Sequence, residues 1–287
     1  MERVTTAIIG GTGLYSMEDI TVVESVRVKT PFGYPSDRIN IIRYGDKEFA
    51  FLPRHGVGHR YLPSEIPVKA NIWALKKLGV QRVFSVSAVG SLKDEIRPRD
   101  IVIPNQIIDR TRLRDSSFYG KGIVGHISFA EPFCRELSRY LYETVQSLGY
   151  RVHGDQVYVC MEGPAFSTRA ESTLYRSWGG GIIGMTALPE AKLAREAELC
   201  YAMMALSTDY DCWKEGEEAV TIEMVVENLK ASTSAAATVL KRAIQELPEE
   251  SKCACNEAAK YALVTDKNVI PSSIKEELML FYGKYWK

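Results

Sequence analysis

Residues 67–91 read PVKANIWALKKLGVQRVFSVSAVGS, and this stretch decides the fold class. Apolar residues at helical spacing over Pro67–Leu78 predict a helix that ends at Gly79. The β-branched run Arg82–Ser87 predicts a buried strand, and the small residues of 87–91 predict a turn after it. A helix followed within a few residues by a buried strand is typical of α/β proteins.

The same alternation of strands and helices extends from this stretch toward both termini. Further strands are predicted at Thr6–Ile9, Asn40–Tyr44, Glu48–Leu52, Asp100–Ile108, Gln156–Met161 and Cys200–Ser207. Further helices are predicted at Glu131–Leu148, Ala187–Leu199, Glu217–Leu247 and Ser272–Tyr282. No linker, repeat or low-complexity tract interrupts the pattern. The sequence therefore predicts one α/β domain over residues 1–287, with a central mixed β-sheet flanked by helices on both faces. Residues 248–287 are expected to form a C-terminal extension packed on that domain, with a polar, turn-rich surface segment before the last helix.

Composition and charge favour a small-molecule partner. Hydrophobic residues make up 46% and charged residues 25% of the chain, and 36 basic residues balance 36 acidic ones. Proteins that bind nucleic acid or membrane surfaces normally carry a basic excess, so neither partner is expected. The N-terminus lacks the features of a signal peptide, and no apolar run reaches about 18 residues, so a cytoplasmic protein is expected.

Six cysteines in a chain of this length do not form the disulfide framework of a secreted protein. Four of them lie in or beside apolar segments and are expected to be buried thiols: Cys134, Cys160, Cys200 and Cys212. Cys253 and Cys255 lie in a polar stretch, one residue apart. Zinc ligands are usually spaced more widely and accompanied by a second pair, so no metal site is expected. A redox role or a strained, easily reduced disulfide stays open for this pair.

Two of the loops that follow predicted strands carry anion-binding residue types. In Gly10-Gly11-Thr12-Gly13, adjacent glycines let backbone N–H groups converge on an anion, and Thr12 adds a hydroxyl. Ser16 stands where a dinucleotide-binding loop has its third glycine, and a tight turn is the alternative interpretation. In Pro53-Arg54-His55-Gly56, Arg54 offers a planar fork for phosphate oxygens. An ordinary surface turn is the alternative interpretation. His55 and His59 could bind a metal together only on a helix, and Gly56 and Gly58 make a helix there improbable.

Two further loops complete the same predicted edge of the sheet. Residues 87–91 are predicted to form another small turn that suits an anion. The second of these loops, Thr208–Trp213, follows the apolar strand predicted at Cys200–Ser207. In an extended conformation, Asp209 and Asp211 project to the same side. Paired carboxylates suit recognition of donor groups or proton delivery to a leaving base, although a solvated acidic loop is the commoner case. Because ligands of α/β sheets bind beyond the carboxyl ends of the strands, the four loops together predict a phosphate meeting a nitrogenous substrate.

These residues resemble the 5'-methylthioadenosine phosphorylase family, within the trimeric purine nucleoside phosphorylases. The resemblance rests on ten stretches in family order, which read IIGGTG at 8–13, TPFG at 30–33, PSD at 35–37, RHG at 54–56, ANIWAL at 70–75, EGP at 162–164, FS at 166–167, RAE at 169–171, MT at 185–186 and TDYDCWK at 208–214. It extends from the first strand to about residue 226.

The resemblance implies a role for each matched position. Phosphate would be held by Thr12, Arg54, His55, Ser87, Ala88 and Thr186. The nucleoside would be held by Phe166, Ser167, Met185, His59, Ile222, Val225, Val226 and, from a neighbouring subunit, His126. Asp209 and Asp211 would be catalytic and face N7 and the 6-amino group of the purine. The chain has Ser87 where the family often has threonine, and Ala165 where it often has arginine.

The implied reaction is phosphorolysis of 5'-methylthioadenosine to adenine and 5-methylthioribose-1-phosphate, as used in purine and methionine salvage. Inorganic phosphate would be a co-substrate, with no cofactor, and the assembly would be a homotrimer or a dimer of trimers. Asp209 would protonate adenine at N7, and the nearby Asp211 is expected to raise the pKa of its carboxyl. Three alternatives stay open: a broad purine nucleoside phosphorylase, a nucleosidase that uses water, and a nucleotide-binding or NAD-dependent protein.

Overall fold

The computed structural model describes residues 4–11, 19–214 and 221–286, apart from the side chain of Ile222. Its strands are β1 (Thr6–Gly10), β2 (Thr21–Val26), β3 (Ile39–Tyr44), β4 (Lys47–Pro53), β5 (Arg82–Ser91), β6 (Ile101–Arg110), β7 (Val152–Met161), β8 (Ile182–Gly184) and β9 (Cys200–Asp209). Its α-helices are α1 (Val68–Lys77), α2 (Arg135–Ser147), α3 (Arg169–Ser177), α4 (Glu190–Glu196), α5 (Ile222–Gln245) and α6 (Ser272–Tyr282). None of the helices described in these ranges is long and apolar enough to span a bilayer.

The strands form one nine-stranded mixed sheet in the order β2-β3-β4-β1-β5-β8-β7-β6-β9. β1 runs parallel to β4 and β5, and β9 runs parallel to β5, whereas β3 is antiparallel to both β2 and β4. Because β9 pairs with both β6 and β5, five of the strands close into a ring. The prediction of a mixed sheet is confirmed, and the ring is a feature that the sequence pattern did not reveal.

Helices cover both faces of the sheet, as predicted. One apolar cluster contains buried residues of α1, α4 and α6, and the other contains buried residues of α2 and α5. β9 contributes alternate residues to the two clusters: Tyr201 and Met203 face the first, and Ala202 and Met204 face the second. This strand is buried along its whole length, which explains why it reads as a continuous apolar run.

Three elements were missed at the sequence level, each for a physical reason. β2 is exposed or half-buried at every residue, so it shows no alternation of apolar and polar positions. β8 has three residues, too few for a periodic pattern. α3 buries only Ser172 and Tyr175, and its clearest signal is the capping box formed by Thr168 and Glu171.

Several helices begin later than predicted because a cap or a proline sets their first turn. α2 starts at Arg135, where the Cys134 side chain accepts a hydrogen bond from the backbone N–H of Leu137. α4 starts after Pro189. α5 starts at Ile222, and the hydroxyl of Thr221 caps it. The predicted start of that helix at residue 217 lies outside the described residues.

The chain after residue 247 packs against the rest of the molecule. α6 has the predicted bounds and contributes the buried side chains of Leu278 and Tyr282 to the cluster that also contains α1 and α4. The Tyr282 hydroxyl donates to the backbone carbonyl of Glu196 at 3.1 Å, and the Trp73 indole N–H donates to that of Glu277 at 3.3 Å.

The cysteines differ from expectation in two respects: Cys212, which was expected to be buried, is partly exposed, and four other cysteines form a cluster. Cys134, Cys160 and Cys200 are buried, in agreement with the sequence analysis. However, the Sγ atoms of four cysteines lie within 4.8 Å of one another, and the four are Cys134, Cys200, Cys253 and Cys255. The second pair that the sequence lacked beside Cys253 and Cys255 is therefore supplied in space by distant parts of the chain.

Candidate active site

The loops at the carboxyl ends of the central strands surround a cavity of about 460 Å³. The strand register brings these loops together. Gly10 at the end of β1 pairs with Pro53 at the end of β4, and Gly90 in β5 pairs with Asp209 at the end of β9. The backbone N–H of Arg54 also donates to the carbonyl of Gly10 at 2.9 Å. Gly11, the turn after β4 that carries Arg54, and the acidic residues at the end of β9 thus meet at one edge, as predicted. The predicted turn at residues 87–91 is wrong: these residues continue β5 as far as Ser91, because residues 87–90 pair with the end of β9.

Arg54 lies in the wall of this cavity and is only 2% exposed. Its guanidinium forms a bidentate pair with Glu190, with Nε to Oε2 at 2.9 Å and Nη2 to Oε1 at 3.0 Å. Nη2 also donates to Ser85 Oγ at 2.6 Å, and Nη1 donates to the carbonyl of Val86 at 2.8 Å. Burial opposes the charge, but the Glu190 carboxylate raises the pKa of Arg54 above its ordinary value. Among the described contacts, one Nη1 hydrogen is left for a ligand.

Glu190 is a site residue that sequence reasoning missed. Its Oε1 accepts hydrogen bonds from the Ser85 and Tyr201 hydroxyls, each at 2.8 Å, in addition to the Arg54 pair. The carboxylate is therefore saturated by donors and fixes the orientation of the guanidinium. In the sequence, Glu190 is one acidic residue near the start of an amphipathic helix, and such a position gives no sign of this role.

His55 lies in the cavity wall as a neutral ring. Its Nδ1 is 2.9 Å from the carbonyl oxygen of Tyr61, and its ring stacks on His59 with centroids 4.2 Å apart. Burial lowers the pKa of His55 to about 4. Because a carbonyl can only accept, Nδ1 carries the proton and Nε2 is an acceptor. The two histidines lie in turns, not in the helix that a helical metal pair would need.

Ser87, Ala88 and Thr186 also line the cavity. The Ser87 and Thr186 hydroxyls are 2.8 Å apart, although Ser87 lies in β5, Thr186 lies in the loop after β8, and 99 residues separate them in the sequence. Since one of these hydroxyls donates to the other, the pair has at most one hydroxyl hydrogen left for a ligand, in addition to the Nη1 hydrogen of Arg54. Thr12, the remaining predicted phosphate ligand, lies outside the described residues, whereas its neighbour Gly11 lines the cavity.

Asp209 and Asp211 line the same cavity and are buried, so the loop is not a solvated acidic turn. Asp209 Oδ2 accepts from the Thr208 hydroxyl at 2.6 Å, and its Oδ1 accepts from the backbone N–H of Asp211 at 2.8 Å. Burial raises the pKa of Asp211 above its usual value. A Cβ at Gly90 would lie 2.8 Å from Asp209 Oδ1, so the close approach of these strands requires glycine.

The predicted nucleoside contacts fall into two groups. His59, Phe166, Met185 and Val225 line the cavity. Val226 does not and is 41% exposed; the helix face that carries Val225 continues into the cavity through Leu229 and Thr233. The side chain of Ile222, the third residue predicted for that apolar face, lies outside the described part of the chain.

Ser167 and His126 lie outside this chain's own cavity lining. The Ser167 hydroxyl is 3.7 Å from Met161 Sδ, and its carbonyl accepts from the Cys212 thiol at 3.2 Å. His126 is exposed, and its backbone N–H donates to the carbonyl of Ala262 at 2.8 Å. Ser167 therefore lies beside two lining residues, Met161 and Phe166, whereas His126 contacts the C-terminal extension.

Arg114 is a second residue that the sequence analysis missed. Its buried guanidinium donates to the backbone carbonyls of Met185 and Leu188 at 2.5 Å each and to that of Glu162 at 2.6 Å. It also pairs with the Glu162 carboxylate at 3.2 Å. Arg114 thus ties the loop after β7 to the loop after β8, which carries Met185 and Thr186. Ala165, where the family often has arginine, is exposed and lies outside the lining.

The cavity therefore has two chemically different ends. Donors for an anion cluster near Ser87, and carboxylates stand near Gly90, three residues later along β5, which corresponds to about 10 Å of strand. Val225 and Leu229 of α5 add apolar surface to the cavity wall. Such a site suits a ligand that carries an amine-bearing ring beside a bound oxyanion.

Comparison with known proteins supports this interpretation. Residues 5–245 match the family model described as the phosphorylase superfamily. An S-methyl-5'-thioadenosine phosphorylase from Geobacter sulfurreducens is 51% identical over 286 residues, which cover 99% of this chain and 100% of the relative. The crystal structure of a methylthioadenosine phosphorylase from an Antarctic soil metagenomic library superposes with a TM-score of 0.93 at 45% identity, covering 98% and 99% of the two chains. A methylthioadenosine phosphorylase from Schistosoma mansoni in complex with adenine gives a TM-score of 0.82 at 35% identity, with 98% of both chains covered.

Proposed function

The chain belongs to the phosphorylase superfamily, in the family of S-methyl-5'-thioadenosine phosphorylases, and on that premise we propose that it cleaves 5'-methylthioadenosine with inorganic phosphate. The products are adenine and 5-methylthioribose-1-phosphate. One observation carries the proposal: Arg54, the Ser87–Thr186 hydroxyl pair and the buried Asp209 line a single cavity. Phosphate is a co-substrate of this reaction.

The phosphate end of the cavity holds the nucleophile in line with C1'. Arg54 offers a guanidinium whose orientation is fixed by Glu190, and the Ser87–Thr186 pair offers one hydroxyl hydrogen. Because these donors are already in place, binding a charged nucleophile requires little reorganisation. The neutral His55 adds no positive charge; its Nε2 accepts a hydrogen bond from a protonated phosphate oxygen or a ribose hydroxyl.

The acidic end assists departure of the base. The C1'–N9 bond breaks as a phosphate oxygen bonds to C1', through a ribosyl transition state with oxocarbenium character, in analogy to glycoside cleavage. The bonding electrons leave with adenine, and Asp209 delivers a proton to N7. The position of Asp209 supports this role: the side chain is buried, it lines the cavity, and a second buried carboxyl, that of Asp211, lies two residues away.

Two parts of the cavity support the choice of substrate. A carboxylate of Asp211 or Asp209 accepts from a 6-amino group, whereas a 6-oxo group would oppose acceptor to acceptor at a cost of several kcal/mol. Val225 and Leu229 give the α5 wall an apolar surface that suits a methylthio group. Such a surface rejects a 5'-hydroxyl by about a hundredfold at most.

The proposal includes a homotrimer, alone or paired into a hexamer, that works in the cytoplasm. The sequence resemblance supports this assembly, in which His126 reaches the substrate of a neighbouring subunit and Ser167 helps to position the purine. The exposed position of His126 supports such a contact. Light scattering of the purified chain measures the assembly directly, and a monomer that is fully active would contradict this part of the proposal.

One assay tests the reaction and separates it from its rivals. Release of the free base is measured with methylthioadenosine, adenosine and inosine, each with and without phosphate. We expect release from methylthioadenosine that requires phosphate, slower release from adenosine and the least from inosine. Undiminished adenine release without phosphate would identify a nucleosidase instead. A preference for inosine would identify a broad purine nucleoside phosphorylase.

A further inference from the structure

The cysteine cluster, formed by Cys134, Cys200, Cys253 and Cys255, lies far from the cavity. Cys200 is the first residue of β9 and Asp209 is the last, so the cluster and the acidic end are separated by about 30 Å of strand. We propose that the cysteine cluster is a structural metal site that binds one thiophilic divalent ion, zinc, through four thiolates. Neither the proposed reaction nor its site uses these residues.

The arrangement of the sulfur atoms suits a tetrahedral ion. All four Sγ atoms lie within 4.8 Å of one another, and those of Cys200 and Cys253 are 3.2 Å apart. A tetrahedral ion with metal–sulfur bonds of about 2.3 Å places its sulfurs roughly 3.8 Å apart, within this range. A disulfide would need about 2.05 Å. Four cysteine sulfurs around one centre are a common ligand set of structural zinc sites.

The ligands come from three separate parts of the fold. Cys134 is the residue that caps α2, and its backbone N–H donates to the carbonyl of Tyr201 at 2.8 Å, next to Cys200. Cys253 and Cys255 come from the C-terminal extension, where Cys255 begins a short 3-10 helix. An ion at the centre would therefore join this extension to α2 and β9.

The surroundings of the sulfurs supply a second, independent line of support. The backbone N–H of Leu137 donates to Cys134 Sγ at 3.5 Å, and the Arg195 guanidinium donates to Cys255 Sγ at 3.6 Å. The Ser251 hydroxyl donates to Cys253 Sγ at 3.2 Å. Donors of this kind orient thiolate ligands and offset their negative charge. Cys134 also stands at the N-terminus of a helix of 13 residues, a position that stabilises a thiolate.

Metal binding at this site would add to the stability of the fold. The thiols lose their protons when they bind the ion, and the unfolded chain has no preformed site, so binding free energy becomes folding free energy. Removal of the ion should loosen the C-terminal extension first. The cavity lies at the other end of β9, so the intrinsic rate of the folded enzyme should change little.

The test measures metal in the full chain, purified with a reductant and dialysed against metal-free buffer. Elemental analysis by mass spectrometry should find about one zinc ion per chain. The double variant Cys253→Ser/Cys255→Ser should lose the ion, and Cys160→Ser, which changes a buried cysteine outside the cluster, should retain it. A strong chelator should lower the Tm of the wild-type chain by about 5 °C or more.

A spectroscopic measurement on the wild-type chain keeps the test valid if the double variant does not fold. Cobalt(II) added to chelator-treated protein should give the absorption of tetrahedral thiolate coordination, saturating at one ion per chain. Two results would overturn the proposal. One is wild-type protein that carries no thiophilic metal and gives no such absorption. The other is an intact mass, measured on protein purified without reductant, that is lower by two hydrogens for each disulfide joining these cysteines.

Discussion

At the scale of single residues, the organising contact of the phosphate end is the pair between Arg54 and Glu190. Both side chains are nearly inaccessible, and every oxygen of the carboxylate is used. A charge pair of this kind contributes chiefly by holding one geometry, because its desolvation offsets much of its attraction. Removing one partner of the pair destabilises the fold, since the charge of the other partner then stays buried without compensation.

Replacing Glu190 tests this contact. We expect Glu190→Ala to lower the free energy of unfolding by about 3–5 kcal/mol and to raise the KM for phosphate. Urea denaturation measures the first effect and steady-state kinetics the second. The matched control is Glu48→Ala, which breaks the exposed pair between Glu48 and Arg43 and should cost at most about 1 kcal/mol. Equal losses in the two variants would contradict the role of Glu190.

Burial of His55 makes stability depend on pH in a defined window. The folded state holds the pKa of His55 near 4, below its ordinary 6.5, so the unfolded chain binds more protons between these values. This contribution to stability is complete above pH 6.5 and is lost as the pH falls toward 4. We expect the urea midpoint to drop between pH 7 and pH 5, and to drop less in His55→Asn. A drop in His55→Asn that is identical to the wild-type drop would argue against a buried neutral ring at position 55.

The acidic end yields a prediction about selectivity. Asp209→Asn replaces an acceptor that can also carry a proton with an amide that donates from its nitrogen. We expect the kcat/KM ratio of adenosine to inosine to fall, because the amide N–H can face a 6-oxo group. Parallel assays of both nucleosides measure the ratio, and no change in it would show that Asp209 does not face the purine.

At the scale of elements, the close pairing of β5 and β9 places the acid. A Cβ at Gly90 would meet Asp209 Oδ1 at 2.8 Å and the Ile183 side chain at 3.2 Å. Gly90→Ala should therefore displace the carboxylate and lower kcat about tenfold or more, since catalysis is sensitive to small errors of position. Gly154→Ala in β7 is the control: its Cβ would meet the Tyr142 ring at 3.2 Å, away from the cavity, so it should alter stability and leave kcat near wild type. A Gly90→Ala enzyme with the wild-type kcat would show that catalysis does not need the close approach of β5 to Asp209.

The sequence predicted those elements whose burial leaves a pattern. β9 and α1 have continuous or periodic apolar residues, so their positions were predicted closely. β8 has three residues, and its place in the sheet depends on pairing with β5 and β7, which no local pattern encodes. For the same reason the ring of five strands could not be foreseen: the pairing of β9 with β6 joins residues more than a hundred positions apart.

Site residues, like the secondary-structure elements, were predicted where a local sequence pattern marks them and missed where distant contacts define them. Arg54 and Asp209 were found because they stand directly after buried strands and because their motifs resemble a family. Glu190 was missed because its partner Arg54 lies 136 residues away in the sequence. The cysteine cluster was missed because two of its members, Cys134 and Cys200, look like ordinary apolar positions until the fold brings them to Cys253.

At the scale of the whole molecule, the C-terminal extension is proposed to be an integral part of a single domain. Leu278 of α6 is 1% exposed and packs in the cluster that includes α1 and α4. We expect Leu278→Ala to lower the free energy of unfolding by about 2–5 kcal/mol, with one cooperative transition as in the wild type. The neighbouring Met279 is 53% exposed, and Met279→Ala should change stability by about 0.5 kcal/mol or less. A separate early transition for the extension would contradict the single domain.

The double pairing of β9 has a consequence for solubility. A sheet of nine strands would ordinarily present two free edges, but β9 hydrogen-bonds to β5 as well as to β6, so among the described strands β2 alone forms an open edge. Open edges invite pairing with strands of other molecules and hence aggregation. β2 counters this hazard with an irregular register between Val22 and Glu24, which interrupts the row of backbone donors and acceptors, and with the charge of Glu24 itself. The closed ring thus reduces the surface that must be protected against fibre formation to one short strand.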